Sequence, residues 1–201
     1  MADIVAVLSL KGGQGKTTIA THYALYSNSH YYTNDYNSGT EALYKDKFPK
    51  GHFHLIKPHD EAFDLVSPKM VFDFGGFSDD RLPDVVSGAD LCVVPISCFS
   101  SADIKSLFVT VDAVERLNKK ILIIINNTAT KDIDSLMEGI QGVYRSTYPV
   151  KVIKRSSYMT YLVTEGKTPF ELSEVGATKK ALASIQDQLR DLFSFIGGYW
   201  I

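Results

Sequence analysis

Eight residues near the N-terminus, Lys11-Gly12-Gly13-Gln14-Gly15-Lys16-Thr17-Thr18, constrain the fold more than any other stretch. An apolar run, Ile4–Leu8, leads directly into them, and an amphipathic helical pattern follows directly from Thr17. The glycines let the backbone turn so that successive N–H groups face one concavity, and a helix opening at that point adds partial positive charge. Lys16 supplies a point charge for the β- and γ-phosphates of a nucleotide, and Thr17 a hydroxyl for Mg2+. Strand, loop and helix therefore agree with one another and with a phosphate-binding role.

The rest of the chain repeats the alternation. Short apolar runs at Ile4–Leu8, His30–Asn34, His52–Ile56, Met70–Phe74, Leu91–Pro95, Ile121–Asn126 and Val150–Ile153 read as strands. Several are continuously hydrophobic, as strands buried on both faces are. Helical patterns at Thr17–Ser27, Ala102–Asn118, Ile133–Ser146 and Thr178–Ile196 are long enough to cross between parallel strands. The last carries Leu182, Ile185, Leu189, Leu192, Phe193 and Ile196 at helical spacing, with Gly197 placed to end it. The expected architecture is a doubly wound α/β fold with a mostly parallel sheet and helices on both faces, its ligand at the carboxyl ends of the strands.

Composition narrows the class. With 201 residues and 45% hydrophobic side chains, one domain over 1–201 can bury its own core without disulfide or metal. No apolar stretch approaches the ~20 residues of a membrane span, and the start lacks a secretory pattern, so a cytoplasmic location is expected. A formal net charge of −2 excludes coating nucleic acid by bulk electrostatics and leaves only local contact. Cys92 and Cys98 read as reduced, structural thiols.

The strict phosphate-loop pattern, with two glycines five apart before Lys-Ser/Thr, needs glycine at position 10, where this chain has Leu10. Lys11-Gly12-Gly13-x-Gly15-Lys16-Thr17 instead resembles the deviant Walker A motif of the ParA/MinD family of ATPases, a P-loop NTPase group. The resemblance implies that Lys11 reaches across a nucleotide-sandwich dimer to the partner's phosphates. Gly12, Gly13, Gln14, Gly15, Lys16, Thr17 and Thr18 would hold ATP.

Met70-Val71-Phe72-Asp73-Phe74-Gly75-Gly76 looks like Walker B: an apolar strand ends in Asp73, which would orient Mg2+ together with Thr17. The family segment D-x-D-P-Q falls on Thr33-Asn34-Asp35-Tyr36-Asn37. Asp35 matches its second aspartate, implied to position the attacking water, and Thr33 stands in place of the first. Resemblance continues through Ala89–Pro95 and the loop Ile96–Ser101. It extends to Asn126, where relatives contact the adenine edge, and to Gly166-Lys167-Thr168-Pro169-Phe170, a loop beside the base that makes Pro169 a candidate contact.

Other signals have plainer readings. His52, His54 and His59 invite a zinc site, but no second ligand group accompanies them, and they are expected at a sheet edge. Tyrosines crowd Tyr23–Tyr44 as a partner surface, a base-stacking platform or ordinary packing. Lys151, Lys154, Arg155, Lys167, Lys179 and Lys180 form either a solvated face or a DNA-contacting one. The apolar end, Phe193–Ile201, is expected to dock on the protein itself, since Asp187 and Asp191 oppose Arg190 on the helix's polar side and disfavour membranes.

Taken together, the resemblance implies a Mg2+-dependent ATPase that forms a homodimer with ATP and associates with the nucleoid through non-specific DNA. Its role would be plasmid or chromosome partition with a centromere-binding, ParB-like partner. Alternatives stay open: a MinD-like membrane-associated positioning ATPase, a ParA-like carrier of conjugative DNA or other cargo, a small-molecule kinase of the dethiobiotin synthetase kind, or an iron–sulfur relative of the nitrogenase iron protein.

Overall fold

The computed structural model describes residues 3–36, 39–57, 69–75, 79–97, 100–145, 147–159, 167–168, 170 and 179–198. Asn37, His59, Gly76, Cys98, Gly166, Pro169 and the end of the chain from Tyr199 lie outside the described residues. The strands are β1 (Ile4–Ser9), β2 (His30–Thr33), β3 (Phe53–Leu55), β4 (Met70–Gly75), β5 (Leu91–Ile96), β6 (Ile121–Thr128) and β7 (Val150–Lys154). They form one sheet in the order β3-β2-β4-β1-β5-β6-β7, with every pair parallel. The described helices are α1 (Lys16–Ser27), α2 (Thr40–Tyr44), α3 (Leu82–Gly88), α4 (Ser101–Glu115), α5 (Thr130–Tyr144) and α6 (Lys179–Gly198).

A parallel sheet must be covered on both faces, and the strands supply alternate side chains to two layers. Val5, Val7, Val71, Leu91, Val93, Leu122 and Ile124 pack on α1 through Ile19, Ala20, Tyr23 and Ala24. The same layer takes Leu182, Ile185, Leu189, Leu192, Phe193 and Ile196 of α6, the stripe expected from spacing. On the opposite face Ala6, Leu8, Phe72, Phe74, Val94, Ile123 and Ile125 meet α3 (Val85, Val86), α4 (Leu107, Val111, Val114) and α5 (Leu136, Ile140). Each such aliphatic side chain contributes about 1.5–3 kcal/mol on burial. Tyr23, Tyr31, Tyr32 and Tyr44 belong to this core, while Tyr26 and Tyr36 stay exposed.

Several boundaries differ from expectation. Helix α4 stops at Glu115, short of Asn118, because the Asn118 side chain donates to the carbonyls of Val86 and Ala89 and turns the chain into β6. Helix α5 starts three residues before Ile133 and ends at Tyr144, where Arg145 caps it with a left-handed φ of 49°. Helix α6 runs through Gly197 to Gly198 instead of ending at the glycine, with Ile196 wholly buried. The short α2 and α3 have no counterpart among the helices expected from periodicity.

The sheet ends differ too. Strand β3 at one edge has only 3 residues. At the other edge the Lys154 N–H donates to Gln188 Oε1 of α6 at 2.8 Å. Because β1 lies between β4 and β5, the loops after β1, β4 and β5 open side by side at the carboxyl end of the sheet, flanked by those after β2 and β6.

Candidate functional site

The loop between β1 and α1 turns at Gly13 and Gly15, whose φ values of 76° and 86° are left-handed. Gly15 has a second reason to be glycine: a Cβ there would run into the Asn126 side-chain amide. Gly15 N-caps α1 without a side-chain cap, and the first turn holds no acidic residue. The leading amides of α1 therefore lack intrahelical acceptors, with Lys16 as the first helical residue and Thr17 and Thr18 following in the same turn. That combination suits an anion. Gly12 and Gly13 are exposed, and Lys16, Thr17 and Thr18 are half-buried.

Gln14 is buried and ties the loop to its neighbours. Its Oε1 accepts the Ser97 N–H at 2.7 Å, and its Nε2 donates to Asp103 Oδ1 at 3.1 Å. Lys11 Nζ reaches the same Asp103 oxygen at 2.6 Å, while the Ser100 hydroxyl donates to Oδ2 at 2.8 Å. Asp103 is buried in the first turn of α4, where a negative charge also favours the helix dipole. The lysine expected to serve a second subunit is thus paired within its own chain.

Asn126, expected at the base, turns its amide to the loop: Nδ2 donates to the Gln14 carbonyl at 3.2 Å and approaches Ser97 Oγ at 3.4 Å. Asn127 beside it has a φ of 49° and sits in a register shift of β6 against β7. Contact with a base through the Asn126 donor would require exchanging these bonds.

Asp73, near the end of β4, is 1% exposed. Its Oδ2 accepts the Tyr31 hydroxyl at 2.7 Å, and Oδ1 has no hydrogen-bond partner. Burial pushes the carboxyl above the usual range, opposed by the hydroxyls of Tyr31 and Thr17 and the charge of Lys16, while Asp35 adds to the rise. Thr17, Lys16 and Asp35 therefore all stand close to this carboxylate. A buried, unpartnered carboxylate oxygen beside a threonine hydroxyl suits Mg2+, a hard cation that takes few protein ligands beside substrate phosphates and water.

The loop after β2 completes the arrangement. Thr33, fully buried at the position matched to the family's first aspartate, accepts the Asp35 N–H on its hydroxyl at 3.1 Å. Asn34 bridges the end of β4, with Oδ1 accepting the Gly75 N–H at 2.8 Å and Nδ2 donating to Asp79 at 3.0 Å. Arg81 beside Asp79 holds that carboxyl at about 2.

Sequence reasoning missed Asp103, Tyr31 and Asn34 at this site. Only Asp103 carries a signal, an acid three residues after Ser100 at a helix start, and that signal marks the helix and not the partner. His52 and His54, considered for zinc, stack with His30 at centroid distances of 4.1 and 5.1 Å. Among the described residues no group of three or more His, Cys, Asp or Glu could hold a metal ion. In the basic half, Lys151 pairs with Asp191 at 2.9 Å.

No family model and no curated protein matches this sequence. Solved structures do. A variant of McdA from Cyanothece in complex with ATP superposes with a TM-score of 0.65 over 100% of this chain and 99% of its own, at 13% identity. A ParA family ATPase from Chlorobium tepidum TLS gives 0.62 over 94% and 99%, at 15% identity. MinD in the MinC:MinD cell division complex of Aquifex aeolicus gives 0.61 over 100% and 98%, at 15% identity. The fold is that of the ParA and MinD ATPases. Within this fold the chain places Lys11 and Lys16 around the loop after β1 and Asp73 near the end of β4. Among the described residues, no helix is long and apolar enough to cross a membrane.

Proposed function

We propose that this chain is a ParA-like ATPase, a single P-loop domain over 1–201 that binds ATP with Mg2+, dimerises around it, and hydrolyses it to ADP and phosphate to end the dimer. The observation that carries the reading is the meeting, at one sheet end, of an uncapped helix start bearing Lys16 with the buried Asp73 carboxylate beside Thr17 and Asp35. Lys16 and the loop amides hold the phosphates. Thr17 and Asp73 hold Mg2+, which when bound neutralises charge on the phosphate oxygens. Asp35, on the loop braced by Thr33, orients the attacking water. Lys11 leaves Asp103 to serve the partner's nucleotide, and Asn126 meets the base by exchanging its bonds to Gln14 and Ser97.

The biological reading is DNA partition: the ATP dimer binds DNA non-specifically and a centromere-binding, ParB-like partner triggers its release. Support comes from the likeness to a ParA family ATPase along nearly the whole of both chains. The use of the α6 stripe in the core, which leaves that stripe no role at a membrane, favours partition over the MinD-like alternative.

Light scattering and DNA co-sedimentation of the wild type and Lys11→Ala, without nucleotide, with ADP, and with ATP and Mg2+, test the reading. ATP alone should drive dimerisation and DNA binding, and Lys11→Ala should lose both while keeping ADP affinity. A protein that binds ATP yet stays monomeric and ignores DNA refutes the partition switch; ATP-dependent sedimentation with anionic liposomes would then establish the MinD-like alternative.

A further inference from the structure

We propose that Tyr31 is a positioning residue for the divalent cation held by Asp73 and Thr17: its hydroxyl fixes one oxygen of the Asp73 carboxylate so that the other is kept for the metal. The inference rests on the nucleotide reading above and adds a residue that neither the loop motif nor the strand-end aspartate implies.

Strands β2 and β4 are parallel neighbours, with Tyr31 opposite Val71 and Thr33 opposite Asp73. Tyr31 and Val71 pack in the same layer, on the α1 side of the sheet. Asp73, two residues beyond Val71, points to that side as well. Tyr31 thus starts one alternation short of Asp73, a gap that the length of a tyrosine ring bridges, and its hydroxyl ends 2.7 Å from Oδ2. The ring has little freedom to do otherwise: it is fully buried, stacked on Phe48 at 5.5 Å and tilted on Phe53 at 5.3 Å.

The bond has a direction. A carboxylate only accepts, so the phenol donates. The second torsion of an aspartate side chain is broad, and an anchor on one oxygen narrows the plane this carboxylate can take. With Oδ2 anchored, the plane is set and Oδ1 is the oxygen left without a partner. Fixing one atom of a ligand so that another meets the metal is the usual work of the outer coordination shell, and removing such a partner typically lowers metal affinity about 10–100-fold.

The experiment compares ADP affinity in EDTA and in Mg2+ for the intact wild-type chain, Tyr31→Phe and Phe48→Leu. Tyr31→Phe keeps the ring and removes the hydroxyl; Phe48→Leu loosens the ring's packing and keeps the hydroxyl. The expected result is that Tyr31→Phe binds ADP in EDTA like the wild type but loses about tenfold or more of the increment that Mg2+ gives, while Phe48→Leu lowers the melting temperature and keeps the increment. A full Mg2+ increment in Tyr31→Phe overturns the inference and leaves the ATPase reading standing, and so does an equal loss in Phe48→Leu, which would trace the effect to packing. A wild type that binds no ADP in either condition overturns both.

Discussion

The ammonium of Lys11 lies 2.6 Å from Oδ1 of Asp103, and the two differ sharply in surroundings: the lysine side chain is 42% exposed and the aspartate 2%. Asp103 also accepts from Gln14 and Ser100, so the buried carboxylate is held at several points and the exposed lysine is the more movable partner.

If Lys11 must leave Asp103 to act on a second subunit, the ion pair opposes dimerisation. Asp103→Asn removes the charge at nearly constant shape and is expected to lower the ATP concentration at half-maximal dimer formation about threefold to tenfold, equivalent to roughly 1 kcal/mol. Light scattering across an ATP titration reads this; an unchanged midpoint would show that the pair sets no barrier.

Gly15→Ala should damage loop and fold together. A left-handed φ of 86° strains any L side chain, and the new methyl meets the Asn126 amide. About 1–3 kcal/mol of stability should be lost, with ADP affinity falling at least about tenfold as the loop amides are displaced. Urea unfolding and ADP titration measure the two effects. A variant with wild-type affinity would mean that the loop does not need this turn.

The stacked histidines give a pH dependence with a definite sign. Burial, with the neighbouring His52, lowers the His30 pKa below its ordinary 6.5, and burial, with His30 and His52, lowers that of His54. The unfolded chain therefore binds protons more readily. The stability from these rings is complete above about pH 6.5 and declines as the pH falls below it toward the folded values. His54→Gln should flatten the fall in urea midpoint between about pH 7.5 and about pH 5.5. The same slope in both proteins would assign the loss to other groups.

Cys92 should be chemically silent. Burial pushes its thiol up to about 12, and it is 0% exposed, so neither thiolate nor access is available at neutral pH. In a Cys98→Ser chain a thiol-exchange reagent should label nothing until denaturant is added. Rapid native labelling would place Cys92 outside the core.

What the sequence disclosed follows from how much each element depends on its own residues. Ile121–Ile125 or Leu91–Val94 can satisfy their apolar side chains only as strands covered on both faces, and all seven strands stand where such runs predict them. The five residues of α2 and the seven of α3 are too short for helical periodicity to emerge, and their existence depends on packing of Tyr44 and Val86 against distant strands.

The phosphate loop was legible because its glycines answer local backbone demands. Asp103, Tyr31 and Asn34 were not, since each acts on a residue 41 to 92 positions away. Asn126 shows the reverse case: its place at the end of β6 was foreseen, but the direction of its amide depends on Gln14 and Ser97, which no local pattern links to it.

The two ends of the sheet carry a consequence for life at high concentration. An unpaired parallel edge is a template on which copies can add strand to strand without limit. Here one edge offers only three residues of strand, and at the other Gln188 occupies the Lys154 amide. A chain proposed to pair with its twin only while nucleotide is present gains from sheet margins that, among the described residues, give another copy little strand to pair with.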